Sequence, residues 1–183
     1  MNRKEQGLIH LYHGDGKGKT TCGIGLAVRA LGAGYHVIFA QFLKGGETSE
    51  LGVLKALQQL PQYQLDILRC EKEYPFTWLL KPEEKVALRD DHNALFQDVV
   101  SHCEMETPTL IILDEMCATY ELNLIDRAAV LGFLLHKPDQ VEVVLTGRNP
   151  LPELVEVADY ISEIKKIKHP MDSGIMARVG IEM

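Results

Sequence analysis

The sequence predicts an α/β fold: a mostly parallel central sheet with helices on both faces. Three observations carry this prediction. Short apolar runs of strand length alternate with helical patterns along the chain, the order expected of a parallel sheet. A glycine-rich run, His13-Gly14-Asp15-Gly16-Lys17-Gly18-Lys19-Thr20-Thr21, directly follows the first apolar run. The continuous apolar run at 109–113 ends abruptly in Asp114-Glu115, as a strand buried on both faces does where it emerges at a sheet edge.

Residues 7–12 read as the first strand, and the glycine-rich loop leads into a helix over 20–31 that stops at Gly32-Ala33-Gly34. Apolar residues cover most of that helix, which is therefore expected to be buried against the sheet. Residues 35–42 read as a second buried strand, followed by the polar turn Lys44-Gly45-Gly46-Glu47. A short helix over 50–60 precedes a strand at 64–68. The stretch 69–81 has no clear period but carries Tyr74, Phe76 and the only tryptophan, Trp78.

Residues 82–103 form an amphipathic helix in which Leu88, His92, Leu95, Val99 and Cys103 recur at three- and four-residue intervals. That spacing makes His92 a packed or boundary residue. A helix over 124–136 follows the strand at 109–113, then a strand at 141–145 that ends in Thr146-Gly147-Arg148. A short helix at 152–157, a strand through Ile161 and Ile164 and a turn over 169–174 come next. Ile175, Ala177, Val179 and Ile181 alternate as a terminal strand.

The glycine-rich loop has the chemistry of a triphosphate site. Backbone N–H groups can face inward as an anion nest only where side chains stay clear, which favours glycine. Gly14, Asp15, Gly16, Lys17, Gly18, Lys19, Thr20 and Thr21 are the candidate contacts. Lys19 would add a point charge beside the outer phosphates. Thr20 would offer its hydroxyl to a magnesium ion at the start of a helix whose N-terminal dipole favours anions. The usual spacing puts a glycine five residues before the Gly-Lys-Thr ending, yet His13 stands there and the glycines fall at 14, 16 and 18. A plain glycine-rich turn with solvated lysines is the alternative.

Asp114 and Glu115 complete the pattern, because buried carboxylates at a strand end need a cation or hydrogen bonds. Mg2+ or Mn2+ held by Thr20, Asp114 and Glu115 would supply that cation. Loop and acids together predict a phosphate-loop NTPase-like fold of the RecA-like kind. Arg148 emerges on the same edge and could neutralise phosphate charge; a solvated loop arginine is the alternative reading.

With 183 residues and 46% hydrophobic content, one domain spanning 1–183 can bury a substantial core. The net charge of -7 gives no general attraction to nucleic acid or anionic membrane. No apolar run approaches the ~20 residues that span a bilayer, and the first six residues lack a signal-peptide core, so a cytoplasmic location is expected. Cys22, Cys70, Cys103 and Cys117 are widely spaced and read as reduced, buried thiols.

Taken in order, these residues resemble the phosphate-loop type of ATP:corrinoid adenosyltransferase, the cob(I)alamin or cob(I)yrinic acid a,c-diamide enzymes. The resemblance runs from Gly7 to Met183. It rests on the loop at 13–21, Ala27-Val28-Arg29-Ala30-Leu31-Gly32, Gln41-Phe42-Leu43-Lys44-Gly45 and Phe76-Thr77-Trp78. Leu113-Asp114-Glu115, Leu145-Thr146-Gly147-Arg148, Lys168-His169-Pro170 and Gly180-Ile181-Glu182 continue it. The resemblance implies that a Co(I) corrinoid attacks the 5′ carbon of ATP and expels tripolyphosphate. It implies Lys19, Glu115 and Arg148 as catalytic, Arg29, Gln41 and Lys44 as further ATP contacts, and Phe76 and Trp78 as the corrinoid's aromatic pair. A flavoprotein electron donor and a homodimer are implied partners. An ordinary phosphate-loop ATPase or small-molecule kinase, and a nucleotide-dependent regulatory module, are the alternatives.

Overall fold

Three short apolar runs, at 37–41, 110–114 and 142–147, are buried almost throughout and meet side by side at the centre of one sheet. The computed structural model describes residues 6–46, 48–70, 72–106 and 108–182. Strands β1 (Ile9–His13), β2 (Val37–Gln41), β3 (Leu65–Arg69), β4 (Leu110–Asp114), β5 (Glu142–Gly147) and β6 (Tyr160–Glu163) form a sheet of order β3-β2-β4-β5-β1-β6. Every pairing is parallel. All C-terminal strand ends therefore open on one edge, where ligands of such sheets bind.

Alternate residues of each strand feed two cores. Ile38 and Ala40, Ile111 and Leu113, and Val143 and Leu145 face helices α3 (Pro82–Glu106), α4 (Met116–Glu121), α5 (Arg127–His136) and α6 (Pro152–Val157). Val37, Phe39, Leu110, Ile112 and Val144 face α1 (Lys19–Gly32) and α2 (Ser49–Gln58). Most of these side chains are wholly buried, each worth roughly 1.5–3 kcal/mol relative to exposure. The expected α/β layering with helices on both faces is the one observed.

Four readings change. Helix α1 buries one face rather than most of its circumference, and Val28 is 52% exposed. A short helix, α4, follows β4 directly. Its six residues are too few to show a helical period, and the turn into it is made by Glu115 itself at φ 61, where a glycine or asparagine would have marked it. Helix α5 begins at Arg127 rather than 124, capped by Asp126, whose carboxylate accepts from the Ala128 and Ala129 amides.

The expected terminal strand is absent. Residues 175–182 curl through Gly174 and Gly180, both at positive φ, and Arg178 draws Glu182 back into a turn. A bidentate ion pair four residues apart fixes a turn, so the apolar alternation cannot extend along the edge of β6. All four cysteines are free; Cys22 is exposed, whereas burial pushes the Cys70 thiol up to about 11 and the Cys117 thiol up to about 12.

Candidate active site

The sheet register brings four strand ends together. Gln41 pairs in register with Asp114, Tyr12 with Thr146 and His13 with Gly147. The glycine-rich loop after β1, the lysine turn after β2, the acids after β4 and Arg148 after β5 thus share one edge.

The loop is shaped by close backbone approach. Gly14 lies at φ 120, and a Cβ there would stand 2.4 Å from the Ile164 carbonyl oxygen. The Gly16 amide donates to that same carbonyl at 2.8 Å, so the chain leaving β6 forms one wall of the loop. Asp15 faces out and accepts from the Lys166 amide at 2.8 Å, the contact that chiefly holds its carboxyl below the ordinary value. Lys19 folds back over the loop, its ammonium donating to the Gly16 carbonyl at 2.8 Å. Burial, then the nearby Arg148 guanidinium, lowers its pKa.

Beneath the loop lies a cation-centred cluster. Lys44 Nζ donates to Asp114 Oδ2 at 3.1 Å and to Thr20 Oγ1 at 3.2 Å, and lies 3.7 Å from Glu115 Oε1. Burial alone would pull the Lys44 ammonium down, but Asp114 and Glu115 outweigh it and its pKa is raised. Burial raises the Glu115 carboxyl, and Lys44 partly offsets that. Asp114 is wholly buried. It accepts from Thr146 Oγ1 at 2.7 Å and Gln41 Nε2 at 3.2 Å.

The hard oxygens of Thr20, Asp114 and Glu115 converge on the Lys44 ammonium, a donor set whose chemistry could also hold Mg2+. Among the described residues no group of three or more His, Cys, Asp or Glu side chains makes a metal cage.

Asp15, Gly16, Lys17, Gly18, Lys19, Thr20, Thr21, Lys44, Glu115 and Arg148 all line one cavity of about 930 Å3. Asp114 and Gln41 are wholly buried and lie outside its lining; Gly14, where the loop leaves β1 against the Ile164 backbone, is outside it too. Arg29 is not brought in: it lies in the last turn of α1, ten residues and about 15 Å along the helix from Lys19, with its charge felt at Tyr12. Phe76 and Trp78 are also outside the cavity lining. They stack on each other at 4.6 Å and 4° and are 67% and 75% exposed, on the irregular stretch between β3 and α3.

Three further residues shape the site, although the sequence analysis gave them no role in it. Thr146 bridges the acids, donating to Asp114 and accepting the Glu115 amide at 3.0 Å. Arg69 braces the lysine turn through the carbonyls of Lys44 at 2.7 Å and Gly46 at 2.6 Å. His92 accepts the Leu43 amide on Nε2 at 3.2 Å while its Nδ1 donates to Leu124 O at 2.9 Å, which fixes the neutral tautomer. Leu43 is held at φ 59, so this buried histidine fixes the chain immediately before Lys44. The hydroxyl between an apolar strand and Gly147-Arg148 was a readable signal for Thr146. Nothing local marks Arg69 or His92, which act across the fold.

The sequence matches one known family and several of its members. The family described as ATP:corrinoid adenosyltransferase BtuR/CobO/CobP matches residues 5–183. The sequence is 34% identical over 182 residues to the corrinoid adenosyltransferase of a Sinorhizobium species, spanning 97% of this chain and 81% of that one. It is 30% identical over 182 residues to the corrinoid adenosyltransferase of Escherichia coli, spanning 97% and 86%. Corrinoid adenosyltransferase CobA of Salmonella typhimurium is 29% identical over 184 residues, spanning 98% and 87%. ATPases 2 and 3 of EssC from Geobacillus thermodenitrificans superpose at a TM-score of 0.46 with 16% identity, over 98% of this chain and 36% of that one.

Proposed function

The chain belongs to the ATP:corrinoid adenosyltransferase family, and we propose that it transfers the 5′-deoxyadenosyl group of ATP to a Co(I) corrinoid, releasing tripolyphosphate. The observation that carries this reading is the single cavity in which the loop, Lys19, Thr20, Glu115 and Arg148 face one another. Such a site gathers negative charge at one end of its ligand.

In the proposed reaction Co(I) supplies an electron pair to C5′, the Co–C bond forms, the C5′–O5′ bond breaks, and the pair departs on the triphosphate. Cobalt ends as Co(III). No water or hydroxyl must be deprotonated, so positioning and charge stabilisation dominate. Loop amides, Lys19 and Arg148 gather the charge that accumulates on the departing triphosphate. Thr20, Asp114 and Glu115 would hold Mg2+ or Mn2+, which supplies Lewis-acid neutralisation of the phosphates. Lys44, bonded to both Thr20 and Asp114, keeps those oxygens together. Gln41 supports Asp114 from behind.

Phe76 and Trp78 form an exposed apolar plate suited to a corrinoid face. A wedge beneath cobalt that excludes its lower axial ligand removes electron donation, which eases reduction of Co(II) by a flavoprotein donor. A homodimeric assembly and a cytoplasmic setting belong to the same reading. Among the described residues no helix is long and apolar enough to cross a membrane.

The test is to mix the protein with ATP, Mg2+ and a chemically reduced corrinoid. The expected result is the absorbance change of Co–C bond formation; ATP turnover that continues at the same rate without corrinoid would contradict the proposal.

A further inference from the structure

The turn after β2 places a positive charge among the oxygens that a metal would use. Lys44 Nζ stands 3.1 Å from Asp114 Oδ2, 3.2 Å from Thr20 Oγ1 and 3.7 Å from Glu115 Oε1. The three side chains suited to a hard divalent cation are thus the three that surround one ammonium. Asp114 Oδ2 also accepts from Gln41 Nε2 at 3.2 Å, so both of its lone pairs are engaged. A metal can reach that oxygen only by replacing one of the two donors.

The donor that can leave is Lys44. Gln41 is wholly buried, and Thr146 Oγ1 both donates to Asp114 Oδ1 at 2.7 Å and accepts the Glu115 amide at 3.0 Å. The acids are therefore held by residues that stay in place without the ammonium. The backbone of the turn is held as well: the Lys44 amide donates to the Phe42 carbonyl at 2.8 Å, the Lys44 carbonyl accepts from Arg69 at 2.7 Å, and a Cβ on Gly45 would stand 2.5 Å from the Lys72 carbonyl oxygen. That anchorage ends at the backbone. The Lys44 side chain is 30% exposed and lines the cavity, and its flexible four-carbon stem lets the ammonium swing while the turn stays put.

We propose that Lys44 is a resident stand-in for the divalent cation: in the nucleotide-free protein its ammonium neutralises Asp114 and Glu115, and it gives up Asp114 and Thr20 when the metal arrives with its triphosphate. The inference rests on the reading of Thr20, Asp114 and Glu115 as the metal's donors. Without the ammonium, a wholly buried carboxylate would stand beside a second acid with no cation between them, which is costly. With it, a free metal ion is a poor ligand, because binding must first break the ammonium's bonds and leave that charge without an anion. A triphosphate removes the obstacle by bringing oxygens for both the metal and the displaced ammonium. Metal binding is thereby tied to nucleotide binding through one side chain.

The exchange is tested with Mn2+ alone. The intact protein is dialysed to equilibrium against Mn2+, without nucleotide and with ATP, as wild type, Lys44→Met, the milder Lys44→Gln, Lys44→Arg and Lys19→Met. Without nucleotide, Lys44→Met and Lys44→Gln are expected to hold Mn2+ about tenfold more tightly than wild type, or better. Lys44→Arg keeps the charge, and Lys19→Met removes a cavity cation whose ammonium donates to the Gly16 carbonyl instead; both should stay within about threefold of wild type. Urea unfolding gives a second readout: Lys44→Gln should be less stable than wild type in metal-free buffer and should regain more stability on adding Mn2+. Unchanged Mn2+ affinity in both neutral variants would overturn the exchange. An equal gain in Lys19→Met would also overturn it, by reducing the effect to the general field of the cavity. So would a wild-type protein that holds Mn2+ as tightly without ATP as with it. Failure of every form to hold Mn2+ even with ATP would instead overturn the metal reading beneath it, and the exchange with it.

Discussion

Lys19 and Lys44 both feel the Glu115 carboxylate, yet their surroundings move them in opposite directions. Burial and Arg148 lower Lys19, whereas Asp114 and Glu115 raise Lys44 despite its burial. Lys44 is thus committed to the protein's own carboxylates, whereas Lys19, whose ammonium donates to the loop carbonyl of Gly16, faces the cavity together with Arg148. Lys19→Ala should lower turnover by about 100-fold or more, the usual cost of removing a preorganised charge donor, with a nearly unchanged urea midpoint. His92 makes a different prediction. Burial lowers its pKa, so the unfolded chain takes up a proton as pH falls through 6.5 while the folded chain does not. Stability is therefore full above that pH and declines below it, by no more than about 1.4 kcal/mol per pH unit from this residue, until the lower folded value is reached. Urea unfolding at pH 7.5 and 5.5 should show a shallower decline in His92→Gln than in wild type; equal slopes would remove His92 from the account.

At the scale of elements, the strand ends carry the site, and their legibility differed for physical reasons. The loop was readable from its own glycines and lysines, and the acids and Arg148 because each follows an apolar run buried on both faces, β4 and β5, a pattern set by local chemistry. Thr146 was half-readable, as the hydroxyl before Gly147-Arg148. Arg69 and His92 were not, since their partners are the backbone of Lys44, Gly46 and Leu43, more than twenty residues away. The terminal strand failed because alternation describes spacing along a chain and not what covers it; a cavity wall uses the same apolar positions. Gly147 joins β5 to Arg148 at φ 142, and a Cβ there would lie 2.8 Å from the Cys117 Cβ. Gly147→Ala should destabilise by at least about 1–3 kcal/mol in denaturant unfolding. The aromatic stretch between β3 and α3 is anchored below by Leu80 and Tyr74 packed with Leu43 and Leu88, which leaves Phe76 and Trp78 outward. Trp78→Ala should slow the reaction begun from Co(II) corrinoid at least tenfold more than the reaction begun from preformed Co(I). Equal losses would remove the wedge role.

For the molecule as a whole, parallel pairing converts a linear sequence of loops into one edge, and the placement of β5 between β1 and β4 sets Thr146 and Arg148 between loop and acids. The resulting cavity is lined both by the loop, Lys19, Glu115 and Arg148 and by apolar residues such as Ile24 and Ile175, and its proposed ligand, ATP, is triphosphate at one end and nucleoside at the other. A phosphoryl-transfer enzyme would cut such a ligand within its phosphate chain; the proposed transferase cuts it at the junction between the two halves. The most direct measurement follows the two halves separately, using ATP labelled in the adenine or in the γ-phosphate, with Mg2+ and Co(I) corrinoid. The adenine label should pass to the corrinoid one for one with tripolyphosphate that retains the γ-phosphate label. Adenine label recovered in ADP, with the γ label in orthophosphate and the corrinoid unalkylated, would contradict the account.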